Sequence, residues 1–120
     1  MKNVHILPTD KKTRLFTSDS ELILAGYPKT TFKTGKNIYI TDDSEIEEDY
    51  VIAYGVAIKV MMFDKNTLFF INGTKAKRED CKKIILTTDT DLIADGVQAI
   101  DDEFLEWFVK NPSNNYRILT

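Results

Sequence analysis

The sequence predicts an α+β fold: a curved antiparallel sheet, or small SH3-like barrel, of about five or six strands with a C-terminal helix packed on it. Three observations carry this. Residues 83–112 spell out strand, cap, short helix, turn and longer helix in order. Residues 37–72 alternate β-branched and aromatic runs with turn residues, as a meander does. With 120 residues, 42% of them apolar and 29% charged, the chain has enough apolar surface for one domain, 1–120, and no excess that would argue for disorder.

The first strand is expected over Asn3–Leu7, broken by Pro8–Lys12. Arg14–Phe16 and Glu21–Ala25 flank Ser18-Asp19-Ser20 and read as a hairpin. Gly26–Lys36, with Pro28, Gly35 and three lysines, is expected to be a surface loop held by Tyr27 and Phe32. Asn37–Thr41 is a strand with Ile38 and Ile40 on one face and Tyr39 on the other, and Asp42–Asp49 is an acidic turn. Tyr50–Tyr54, a turn at Gly55, Val56–Phe63, a turn at Asp64-Lys65-Asn66 and Thr67–Ile71 complete the meander, and Lys75–Lys82 is a polar connection.

The strand Lys83–Thr87 leads into Thr88-Asp89-Thr90-Asp91, a capping residue with an acid three positions on, so a helix starts there. Asp95-Gly96 ends it, because glycine takes the left-handed conformation at little cost. Asp101, Asp102 and Glu103 place negative charge on the first turn of the second helix, and Asn111-Pro112 stops it. Helical spacing gathers Phe104, Leu105, Trp107, Phe108 and Val109 on one side against Glu103, Glu106 and Lys110, so the three aromatics are expected to fix this helix to the sheet.

Met1–Asp10, Asn37–Asp42, Lys83–Asp89 and Asp95–Ser113 together resemble a family of small phage- and prophage-associated proteins. The resemblance is near word-for-word in the C-terminal block. It brings no activity and no catalytic residue. It implies a phage origin and the prospect of antagonising a host process such as antiviral defence. Residues 13–36 and 55–82 take no part in it.

Function classes narrow by composition. The longest apolar stretch, Val56–Phe63, is interrupted by Lys59 and falls far short of the roughly 20 residues that cross a bilayer, so no membrane partner is expected. Without a basic-then-apolar leader, and with the lone Cys81, the chain is expected in the cytoplasm of a host cell. Asn72-Gly73-Thr74 is better read as a turn than as a glycosylation sequon. A net charge of −3 argues against general nucleic-acid binding.

Asp89, Asp91 and Asp95 could gather around Mg²⁺ or Ca²⁺, but the calcium-loop spacing fails at Ile93, and helix caps explain these acids better. No metal and no cofactor are expected. His5 lacks a nucleophile motif to serve, so a satisfied strand histidine is the favoured reading. Cys81 sits among Arg78, Lys82 and Lys83, which would lower its pKa, although an ordinary thiol is again favoured.

Two charged clusters remain. Asp42, Asp43, Glu45, Glu47, Glu48 and Asp49 form an acidic one, assigned to partner binding; Lys75, Lys77, Arg78, Lys82 and Lys83 form a basic one, an alternative anion site. The leading expectation is a non-catalytic binding protein that engages a host protein through a charged surface. The alternatives are sequestration of a nucleotide-like ligand by the basic cluster with Tyr27, Phe32 or Tyr54, an Mg²⁺ enzyme using the three aspartates, and a structural or assembly protein of a phage.

Overall fold

The computed structural model describes residues 3–19, 21–29, 34–64 and 67–110. Among these residues, ten strands and two α-helices follow in the order β1 (Val4–Pro8), β2 (Thr13–Ser18), β3 (Glu21–Lys29), β4 (Gly35–Asp42), β5 (Tyr50–Ala53), β6 (Val56–Asp64), β7 (Thr67–Phe70), β8 (Lys75–Ala76), a 3-10 turn (Arg78–Asp80), β9 (Lys82–Thr87), α1 (Thr90–Ala94), β10 (Gln98–Ala99) and α2 (Asp102–Lys110). The fold is α+β: a mostly antiparallel sheet with a C-terminal helix. Along the sheet the order is β3-β2-β4-β9-β5-β6-β7-β8, an open path, with β1 added to β4 and β10 parallel to β9.

The strand count exceeds the expected five or six, and two strands run longer than expected. The two-residue strands β8 and β10 carry no periodic signal long enough to read. The expected loop Gly26–Lys36 is largely strand, since β3 runs to Lys29 and β4 starts at Gly35. Pro28 is tolerated because β3 lies at the end of the sheet path, where one face of its backbone has no ladder to complete. Tyr27 holds nothing down, being 65% exposed, and Phe32 lies outside the described residues.

Turn chemistry explains the hairpins. Asp19 takes φ 50° between β2 and β3, and Tyr54 and Gly55 take φ 52° and 76° between β5 and β6, the double left-handed pattern that suits a two-residue hairpin. The expected turn at Lys65-Asn66 falls outside the described residues. At Asn72-Gly73-Thr74 the chain does turn: Asn72 Oδ1 accepts from the Thr74 N–H at 2.9 Å, and Gly73 has φ 91°. Gly96 ends α1 at φ 104°.

Strand alternation divides the core. Val4, Ile6 and Ile38 face one side and pack with Leu15, Leu22, Ile100, Leu105 and Phe108 beneath α2. Leu7 and Tyr39 face the other and pack with Ile52, Ile84 and Leu92 beneath α1. A third cluster, Val51, Val60, Leu68, Phe70, Ala76 and Cys81 with Ile46, fills the curve of β5–β8.

One core expectation is corrected. Trp107 is 46% exposed, whereas Phe108 is fully buried and Phe104 half-buried against the first cluster. At about 100° per residue, Trp107 stands roughly 130° from the bisector of Leu105 and Phe108, which puts it outside the buried stripe. No described helix is long and apolar enough to cross a membrane.

Candidate functional site

The acidic segment between β4 and β5 is pinned at several points. At its start Asp42 Oδ1 accepts from the Ser44 N–H at 2.9 Å; that bond, with Lys83 nearby, holds the Asp42 carboxyl below its ordinary pKa. In its middle Ile46 is buried in the β5–β8 cluster, and Arg78 Nη1 donates to the Ile46 carbonyl at 3.0 Å. At its end Asp49 Oδ2 accepts from the Glu47 N–H at 2.9 Å and stands 3.6 Å from Lys83 Nζ. Asp42 and Asp49 are thus used inward. Asp43, Glu45, Glu47 and Glu48 are exposed.

The basic cluster does not converge on one point. Lys82 lies opposite Ile52 and Lys83 opposite Val51, so adjacent side chains leave β9 on opposite faces. Lys75 is exposed on β8, Lys77 is exposed beside it, and Arg78 turns toward the acidic loop. What sequence separates as two patches, the fold joins: Asp42, Asp43 and Glu45 share a cleft of about 340 Å³ with Arg78, Glu79 and Lys82. Tyr27, on the strand at the opposite end of the sheet path from β8, is not part of this assembly. Tyr54, with its hydroxyl donating to Asp80 at 2.7 Å, sits over Phe70.

The three aspartates around α1 are each engaged separately. Asp89 caps the helix by accepting from the Asp91 N–H at 3.0 Å, and accepts from the Tyr39 hydroxyl at 2.7 Å. Asp91 pairs with Lys11, and Asp95 accepts from the Tyr50 hydroxyl at 2.5 Å. Burial, followed by the bond to Asp89, pushes the Tyr39 hydroxyl pKa well up, and its bond to Asp95 pushes Tyr50 up. Tyr39 and Asp89 border an open groove of about 560 Å³ between the β1–β2 turn and the β5–β6 turn, walled by Leu7, Pro8, Val56 and Ala57. Fifty positions separate Tyr39 from Asp89, and no spacing rule links them.

His5 is half-buried with Nε2 3.2 Å from Thr41 Oγ1; burial, then Lys82, lowers its pKa. Cys81 is buried, and burial followed by Asp80 and Glu79 raises its thiol, so the three cations beside it in sequence do not activate it. Comparison with protein-family models, with curated proteins and with solved structures returns no match.

Proposed function

We propose that this chain is a non-catalytic, phage-derived binding protein that engages a basic surface on a host protein, such as a component of antiviral defence. Its docking residues are Asp43, Glu45, Glu47 and Glu48. The observation that carries this reading is the anchoring of their loop through Ile46, Arg78, Asp42 and Asp49, which leaves four carboxylates outward on a backbone already held. A held loop loses little conformational freedom on binding, so more of the electrostatic attraction appears as affinity. Carboxylates on a rim act chiefly on the rate of encounter, and the net charge of −3 adds to their field. We further infer that β5–β8, curled around Val51, Val60 and Leu68, serves as a small SH3-like unit carrying this loop.

The test is affinity capture from host lysate with the parent chain and with a Glu45→Lys, Glu47→Lys, Glu48→Lys variant. A basic protein retained in stoichiometric amount by the parent and lost by the variant is the expected result. Equal retention by both would remove the loop as the site. A nucleotide co-purifying with both would move the reading to the cleft at Arg78 and Lys82.

A further inference from the structure

The outer face of the β6–β7 hairpin carries large apolar side chains that no described element covers. Met61 lies directly opposite Phe69, which lies directly opposite Lys75, so these three share one face across three strands. Phe63 stacks edge-on against Phe69 at 6.0 Å, and Ile71 lies beside Lys59, its N–H donating to the Lys59 carbonyl at 3.0 Å. Phe63 is 81% exposed, Ile71 60% and Met61 46%. The alternate residues Val60, Leu68 and Phe70 point the other way into the core with Ile46, so this face is turned away from the one that packs the acidic loop. Isolated exposed apolar residues need no explanation, but a contiguous set with contacting rings marks an interaction surface.

Charge and shape define the occupant. The patch is flanked by Lys59, whose ammonium lies over the Tyr50 ring at 5.7 Å, and by Lys75. Lys59 is two residues along β6 from Met61 and Lys75 is two strands across, so their Cα atoms stand about 12 Å apart. Two turns of α-helix advance about 11 Å. A β-bulge between Met62 and Asp64 breaks the ladder at the hairpin end, which disfavours addition of another strand. We infer that this face docks an amphipathic helix of a partner protein, its apolar stripe on Met61, Phe63, Phe69 and Ile71 and two carboxylates seven positions apart on Lys59 and Lys75.

The probe is a synthetic helical peptide with a leucine stripe and glutamates seven positions apart, with a control peptide carrying lysines in their place. Both are titrated into the labelled protein and followed at the Ile71 methyl, which every variant below retains. The acidic peptide is expected to bind and to shift that methyl. Met61→Ser with Phe63→Ser should weaken it about tenfold, the loss of about 1.4 kcal/mol of apolar contact. Lys59→Glu with Lys75→Glu should reverse the preference toward the basic peptide, while Glu45→Lys, Glu47→Lys, Glu48→Lys should leave the methyl shift at saturation unchanged, which separates this surface from the acidic loop. Each variant is checked for an unaltered melting temperature. The inference is overturned if neither peptide binds, if both bind equally, if vesicles containing phosphatidylserine take up the protein through Phe63 while the peptide does not, or if the patch is occupied by a second copy in sedimentation.

Discussion

Lys36 is the residue least at ease with its surroundings. It is fully buried in β4, opposite Leu15 and Pro8, and its Nζ has no hydrogen-bond partner among the described residues. Burial lowers its pKa from the ordinary 10.5. The folded state therefore resists a proton that the unfolded state accepts, so stability is withheld below the lowered folded pKa and regained as pH rises toward 10.5. Lys36→Met should raise stability at neutral pH by on the order of 1 kcal/mol, and the gap should narrow in melts repeated near pH 10. A variant less stable than the parent at pH 7 would refute this. The sequence placed Lys36 in a surface loop because Pro28, Gly35 and the lysines are loop residues by composition, and burial of a charged residue leaves no periodic trace. The helix stripe was legible to within one side chain. Phe108→Ala should cost about 3 to 5 kcal/mol, as truncation of a buried aromatic does. Trp107→Ala should cost under about 1.5 kcal/mol, being half in solvent, and parallel thermal melts of the two variants decide the order.

Among the elements, α1 shows how a five-residue helix survives. A helix this short is not stable by itself. It is tied at both ends to one face of the sheet, by Tyr39 to its capping Asp89 and by Tyr50 to Asp95 at its end, with Leu92 buried between. Its start and stop were readable because caps and the Asp95-Gly96 exit are local signals. The tyrosines were not, because their partners lie 50 and 45 positions away. Tyr39→Phe with Tyr50→Phe should raise the amide exchange rate across residues 90–97 before that of β4, and cost about 1 to 2 kcal/mol. Tyr39, Tyr50 and Tyr54 all have pKa values raised from 10.0. A group raised on folding contributes stability that is complete below its unfolded pKa and is lost above it, so the parent should weaken as pH climbs past 10.0. The double phenylalanine variant should lose less over that range; an identical alkaline slope would show that these tyrosines do not set it.

At the scale of the whole molecule, which measures 44 × 27 × 23 Å, the two proposed surfaces lie on separate faces of an elongated body. The class of fold was legible because strand runs and the terminal helix are local. The path of the sheet was not, since nothing in the residues of β9 states which strands it will join. Reversing Glu45, Glu47 and Glu48 to Lys should leave the melting temperature nearly unchanged, because their side chains are exposed and surface charge pairs contribute little. A fall in melting temperature comparable to that of Phe108→Ala would mean the loop is structural. The strand β9 has a consequence of another kind. It lies between β4 and β5, which are consecutive in the chain, and touches both through Thr41–Ile84, Asp42–Lys83 and Ile52–Lys82 pairings. On a ribosome, the two halves of the sheet must therefore wait as unjoined pieces, each with a bare edge, until residues 82–87 emerge. Synthesis order and assembly order differ, and the last strand of consequence to be made closes the seam.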